Sequence, residues 1–250
     1  MKFLSCLLAA VPVLFSVATA EDTRCFELRT YHANEGKLDA LHGRFRDHTI
    51  KLFEKHGFQN IGYWVPRDNK DNVLIYVIAS PDMEANKASW KAFIDDAEWK
   101  AAYKESVNDG KLVGKIDSVF LQATDYSPEI KATVATEPQL FELRTYNTNA
   151  GKLDGLNARF RDHTTQLFSK HGLSQFAYWT PTAEKDGRDT RMVYLLSHKD
   201  EESRNANFKA FGTDPQWQAA RKASEENGKL LVKDGVESVF LIPTDYSPTK

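Results

Sequence analysis

Phe26-Glu27-Leu28-Arg29-Thr30-Tyr31, then Gly36-Lys37-Leu38-Asp39, Arg44-Phe45-Arg46-Asp47-His48-Thr49 and Lys55-His56-Gly57, occurs twice in this chain. The second copy runs from Phe141 to Gly172, each residue 115 positions further on, and 23 of the 32 positions are identical. Self-similarity of this kind makes each copy one structural unit and the architecture a pair of units. Phe26, Leu28 and Thr30 point to one side of an extended chain, and Glu27, Arg29 and Tyr31 to the other, so the stretch predicts a strand with one apolar face. From Lys37 to His56, Leu38, Leu41, Phe45, His48 or Thr49, and Leu52 recur at three- and four-residue steps. That spacing predicts an amphipathic helix, which Gly57 ends as a left-handed cap.

Further along, Asn60 to Val65 reads as a strand with the aromatic pair Tyr63-Trp64, and Val73 to Ala79, apolar throughout, as a doubly covered strand. A helical region opens at Asp82, passes Trp90 and Phe93, breaks near Asp95-Asp96, and resumes as a short helix with Trp99 and Tyr103. Asp117 to Leu121 is the last strand, and Asp125-Tyr126-Ser127-Pro128 closes the unit. The order is β-α-β-β-α-β, the ferredoxin-like order. Residues 129–139 lack periodicity and read as a linker. The second unit then repeats Tyr63-Trp64 as Tyr178-Trp179, Tyr76 as Tyr194, Phe93 and Trp99 as Phe211 and Trp217, and the closing tetrad as Asp245-Tyr246-Ser247-Pro248. One such unit carries helices on one sheet face only, and its other face must be covered. The predicted fold is therefore α+β. Two tandem ferredoxin-like units, residues 24–128 and 140–250, pack sheet to sheet as a pseudo-twofold barrel with helices outside.

The composition, 41% hydrophobic with 12% aromatics, is rich enough in apolar side chains to build such a core and argues against disorder. A net charge of -2 with no basic stripe argues against a nucleic-acid partner. Lys2, the apolar run Phe3 to Val17 and the small-x-small Ala18-Thr19-Ala20 form the layout of a signal peptide cleaved near Ala20. Export to the periplasm or beyond follows, and no other apolar run is long enough to predict a transmembrane segment. Cleavage removes Cys6 and leaves Cys25 as a buried thiol or an intermolecular bridge. A buried thiol is favoured, because free Cys packs as a small hydrophobe. Leu140 at the matching position argues against a catalytic one.

Phe-Glu-Leu-Arg-Thr-Tyr, the Gly-Lys-Leu helix opening, Phe-Arg-Asp-His, Lys-His-Gly, Tyr-Trp and the later Trp-x-x-Phe with a following Trp together resemble the NIPSNAP domain, over residues 26–128 and 141–248. The resemblance implies a dimeric α+β barrel, a class that also holds cofactor-free monooxygenases, haem-handling enzymes and stress-response proteins. Animal members are associated with mitochondria and vesicle traffic, whereas this leader is of the bacterial exported kind. For such members the family implies a fold more firmly than a reaction.

Candidate site residues are few. His48 and His163 lie on the apolar stripes of their helices, which aims them between helix and sheet as bases or haem ligands. The plainer reading is a core histidine satisfied by a backbone carbonyl or a Tyr. Glu27 with Arg29, and Glu142 with Arg144, are expected to face the surface where the two sheets meet, bridging the halves or holding an anion. Tyr31, Tyr63, Trp64, Tyr146, Tyr178 and Trp179 are aromatic candidates for ligand contact, though Tyr63, Trp64, Trp90 and Trp99 read most simply as core. Arg44, Arg46 and Asp47, with Arg159, Arg161 and Asp162, read as a solvated helix face, and His56 and His171 as last-turn residues. No phosphate loop, dinucleotide Gly pattern, zinc helix or nucleophile elbow is present. The repeated histidines, eight apart on one helix, are not a usual metal pair. The sequence thus supports binding of a small hydrophobic ligand or a protein partner, with no cofactor required. The alternative is a monooxygenase-like or haem-handling barrel, and further oligomerisation stays open.

Overall fold

The computed structural model describes residues 22–250 apart from residues 136 and 138, so the expected signal peptide and Cys6 lie outside the described residues. The first unit contains β1 (Cys25–Ala33), a helix over residues 38–55, β2 (Gln59–Pro66), β3 (Val73–Ser80), helices Met83–Asp95 and Ala97–Ser106, and β4 (Val113–Ala123). The second contains β5 (Leu140–Thr148), a helix over residues 153–170, β6 (Ser174–Pro181), β7 (Arg191–His198), helices Glu201–Thr213 and Pro215–Ser224, and β8 (Leu231–Pro243). Each unit follows the order read from the repeat. Among the described residues no helix is long and apolar enough to cross a membrane.

The eight strands close into one barrel in the order β1-β3-β2-β8-β5-β7-β6-β4. The halves are joined by backbone pairing as well as by facing side chains. Trp64, Val65 and Pro66 pair with Pro243, Ile242 and Leu241, and Leu121, Gln122 and Ala123 pair with Pro181, Thr180 and Trp179. These seams remove the exposed edges that two separate sheets would present. An eight-stranded barrel is just wide enough to be filled by side chains. Here Trp64 packs on Phe141 with ring centroids 5.6 Å apart, and Trp179 on Phe26 at 5.9 Å, so each half's indole meets the other half's first strand. Strand β3 is buried on both faces, as its unbroken apolar run predicts. Cys25 is buried and free, its thiol pushed up to about 11 by burial, with Glu27 and Asp82 adding to the shift.

Two sequence expectations are corrected by this arrangement. Glu27 and Arg29, like Glu142 and Arg144, do not face the meeting surface of the halves. Phe26 and Leu28 take that side and join the interior cluster, while the charged face lies under the helices. A sealed apolar barrel offers no partners for buried charge, whereas the helix side supplies donors from Asn86 and Trp90 or from Arg204. The second correction concerns the long helices. Residues Phe45–Thr49 and Phe160–Thr164 form a π-turn, in which Ile50 N and Thr165 N donate to the carbonyls of Phe45 and Phe160. The hydroxyls of Thr49 and Thr164 donate to Arg44 O and Arg159 O at 3.1 Å. The wider turn puts Arg44 and Thr49 on the buried side and leaves His48 half-exposed and His163 exposed. Arg44 and Arg159 are buried instead of solvated.

The closing tetrads cross over. Tyr246, at the end of the second half, packs among Phe45, Tyr63 and Leu41 of the first, with Oη 2.6 Å from His42 Nδ1. Tyr126 packs correspondingly on Phe160 and Tyr178, and donates to Asn157 Oδ1 at 2.7 Å. Arg46 grips Asp245 and Arg161 grips Asp125 through paired bonds of 2.6–2.8 Å. Ser247 Oγ accepts from Tyr63 N and Ser127 Oγ from Tyr178 N. The linker is held as well: Ile130 enters the interior cluster, and Thr133 and Ala135 exchange backbone bonds with Lys250.

Asp96 caps helix Ala97–Ser106 through Glu98 N and Trp99 N, and its second oxygen accepts from Lys55 Nζ at 2.7 Å and His56 Nε2 at 2.8 Å. Asp214 repeats this with Gln216 N, Lys170 and His171. The bonds from Lys55 and then His56 hold the Asp96 carboxyl well below the usual range, and Lys170 and His171 do the same at Asp214.

Two expected outcomes follow from these contacts. Tyr246→Ala removes about 2–4 kcal/mol of packing, and hydrogen exchange should quicken in the 38–55 helix of the opposite half before it does in the 153–170 helix; the reverse order would refute the crossing. Because their folded pKa values are depressed, Asp96 and Asp214 contribute stability above about pH 4 that is lost as the pH falls. Asp96→Asn/Asp214→Asn should melt below the parent at pH 6 and lose less than the parent between pH 6 and pH 3; an equally steep loss would show that these carboxylates are not responsible.

Candidate functional site

Beneath the helices of the first half lies a cavity of about 710 Å³. Its floor is the outward face of β1 and β4, with Glu27, Arg29, Tyr31 and Ser118. The 38–55 helix contributes Arg44, Phe45 and Thr49, and the two following helices contribute Trp90, Phe93, Trp99 and Tyr103. Ile94, Tyr103 and Ile116 stand exposed at its mouth.

Glu27 is 1% exposed and is already saturated. It accepts from Arg29, from Trp90 Nε1 at 2.7 Å, from Ser118 Oγ at 2.6 Å and from Asn86 Nδ2 at 3.3 Å. Arg29 lies 4.4 Å from the Trp90 ring centroid. Burial opposes the charge on Arg29, but Tyr76, Tyr31 and Glu27 outweigh it and raise its pKa. Arg29 Nε and Tyr76 Oη are both buried without a partner among the described residues. Arg44 is 6% exposed and lies between the faces of Trp99 and Tyr103, 5.3 and 5.4 Å from their centroids. Its only side-chain hydrogen bond among the described residues runs from Nη1 to Ser106 Oγ at 3.3 Å, and burial lowers its pKa.

The second half builds the same floor and seals it. Arg204, in the place of Asn86, donates to both oxygens of Glu142 at 2.9 and 2.7 Å, and His198, in the place of Ser80, lies 3.1 Å from the same carboxylate. Burial alone would raise the Glu142 pKa, but His198, Arg204, Arg144 and Ser238 hold it well below the usual range. Arg144 Nε donates to Tyr194 Oη at 2.7 Å, so the pair left open in the first half is closed here. Phe208 replaces Trp90 and takes Arg204 on its face at 4.5 Å. The groove that opens on this side is lined by Asn149, Arg221, Glu225, Leu231 and Val236 and does not reach Glu142 or Arg144.

Of the residues singled out in the sequence, Glu27, Arg29 and Tyr31 are brought together in the cavity. Glu142, Arg144 and Tyr146 form their closed counterpart. Tyr63 and Tyr178 are fully buried beneath the helices, stacked on Tyr76 and Tyr194, and Trp64 and Trp179 lie on the opposite, interior side of the sheet. His48 and His163 line neither the cavity nor the cores. Arg44, Thr49, Trp90, Trp99 and Tyr103 are the site residues that sequence reasoning passed over. Only Trp90 and Tyr103 carried a signal, since the second copy has Phe208 and Arg221 there; Arg44, Thr49 and Trp99 are the same in both copies. Chemically, the cavity supplies aromatic faces, two guanidinium groups and one carboxylate held by four donors. No His, Cys or Met lines it, so the residues present do not fit haem iron through the usual His, Cys or Met ligands. Among the described residues no cluster of three or more His, Cys, Asp or Glu forms a metal site.

Several solved structures share this fold. An anthrone oxidase-like protein matches with a TM-score of 0.59 at 10% identity, over 92% of this chain and 95% of its own. A candidate monooxygenase from Lactobacillus acidophilus NCFM matches with a TM-score of 0.55 at 12% identity, over 88% of this chain and 94% of its own. An uncharacterized NIPSNAP domain protein from Burkholderia xenovorans matches 42% of this chain and 99% of its own, at 21% identity and a TM-score of 0.38. No protein of curated function matches the chain. The NIPSNAP family model matches residues 26–128 and again residues 141–248, which together span most of the sequence. With two consecutive matches of that length, each laid on one half of the barrel, the chain belongs to the NIPSNAP family.

Proposed function

We propose that this protein binds a small, flat, largely apolar molecule in the first-half cavity, and that the second half serves as scaffold. The observation that carries the reading is the contrast between the halves: one copy keeps an aromatic-walled space of about 710 Å³ over Glu27 and Arg29, and the other covers the equivalent Glu142 with Arg204 and His198. That volume falls within the range of small-molecule sites, and the mix of apolar wall with few polar groups is their usual composition. Exposed Ile94 and Ile116 at the mouth extend the apolar surface to solvent. A monooxygenase-like reading would use this same cavity, but with a base other than His48. The signal-peptide layout of residues 1–20 supports export of the protein to the periplasm or beyond.

Trp90 and Trp99 report occupancy directly. Naphthalene-2-carboxamide, a neutral flat probe, should quench the Trp fluorescence of the parent saturably. Ser80→His/Asn86→Arg/Trp90→Phe, which installs the residues of the second half, should abolish saturable binding while the melting temperature stays level or rises. Saturable binding that survives this exchange would place the ligand elsewhere. For export, N-terminal sequencing of protein recovered from outside the cytoplasm should begin at Glu21; a sequence that begins at Met1 would refute cleavage.

A further inference from the structure

We infer that the cavity's ligand is a monoanion, a flat carboxylate whose charge is met by Arg44; this rests on the reading of that cavity as a ligand site. Arg44 and Arg159 are the same residue in two copies, and their surroundings agree closely. They are 6% and 4% exposed, each donates from Nη1 to a serine hydroxyl at 3.3 Å, and each lies over an indole, Trp99 at 5.3 Å or Trp217 at 5.2 Å. They differ in counter-charge. Arg159 has the Glu225 carboxylate at 3.6 Å, itself only 11% exposed and shared with Lys229 at 2.6 Å and Arg221 at 3.9 Å. The matching position in the first half is Val107, a lining residue of the cavity, and among the described residues no carboxylate lies within 4 Å of Arg44. A guanidinium withdrawn from water with no anion beside it is costly, and proteins pair such charges. The second copy carries its anion on the chain; the first has an apolar residue and open space at that point.

The chemistry of the rest of the lining narrows the anion. Arg29 is neutralised by Glu27, so one positive charge remains unanswered in the depth of the cavity. A carboxylate balances it, whereas a dianion such as a phosphate monoester would bring its second charge into the field of Glu27. Trp90, Trp99, Tyr103 and Phe93 supply faces for a flat ring or fused rings. Lys111 on the lining adds positive potential that favours entry of an anion, whereas Lys115 is paired with Asp117 at 2.9 Å.

The test compares two probes that differ only in charge, naphthalene-2-carboxylate and naphthalene-2-carboxamide, titrated into the full chain by calorimetry at low and moderate salt. The carboxylate should bind at least about tenfold more tightly than the amide, as a charge-assisted contact to a buried guanidinium requires. Val107→Glu copies the second half's counter-ion and should erase that preference while amide binding persists. Arg44→Met should do the same by removing the cation, and gives an independent reading if the glutamate variant folds poorly. Equal affinity for the two probes would overturn the anion and leave the cavity standing as a neutral ligand site. Binding of neither probe would overturn both. A carboxylate preference that survives in both variants would show that Arg44 is not its origin.

Discussion

A four-stranded sheet with helices on one face cannot stay in water alone, because its other face is apolar and its two edges carry unpaired backbone groups. Everything else in this molecule answers that constraint. The duplicated sequence supplies a second sheet with the same need, and the seams from β2 to β8 and from β4 to β6 remove all four edges at once. Both seams are short and contain proline on one side or both, which donates no backbone hydrogen bond and so suits the ends of pairing. Trp64 and Trp179 then fill the centre from opposite halves. The linker makes the meeting of the two sheets intramolecular and fixes its stoichiometry.

Covalent duplication also releases the copies from identity. Two separate chains of one sequence must carry the same residues at both sites, whereas tandem copies can diverge. The floor of Glu and Arg on the first strand is retained in both, because a buried carboxylate and guanidinium depend on each other. Above that floor the copies part. The second acquires Arg204 and His198 on Glu142, and Glu225 beside Arg159, Arg221 and Lys229. The first leaves Arg29 Nε and Tyr76 Oη, whose counterparts bond each other in the second, without partners among the described residues beside an open space, while Arg44 Nε and Arg159 Nε are unpartnered in both. Buried polar groups are rarely left in that condition unless something outside the chain completes them.

The fold was legible because its signals are periodic. The repeat gave the pair of units, alternation gave β1 and β5, and the unbroken run Val73 to Ala79 marked the strand buried on both faces. The site was legible only in part. Alternation separates the faces of a strand but does not say which one the partner sheet covers, and so Glu27 and Arg29 were set on the wrong side. The three- and four-residue stripe assumes a regular helix, and the π-turn at Phe45–Thr49 adds a residue to one turn, exchanging His48 for Thr49 and bringing Arg44 inward. No local property of Phe-Arg-Asp-His-Thr announces that turn; it is held by the Thr49 hydroxyl on Arg44 O and by packing from the other half. Divergence between the copies, at Val107 and Glu225 or Asn86 and Arg204, was visible from the start but acquires meaning only when the pairs are seen around equivalent cations.

The crossed tails have a consequence for how this chain comes into being. Tyr246 and Ser247, which complete the core of the first half, are synthesised only after every strand of the second half. The first 128 residues therefore emerge with their long helix lacking its final packing partner and with two strand edges open. They must wait in that state while the second half is made. The second half meets the opposite situation, since Tyr126 and Ser127 are already present when its helix forms. Folding is thus ordered by position along the chain: the second half can be finished first, and the half that keeps the cavity is closed last, by the tetrad that follows β8.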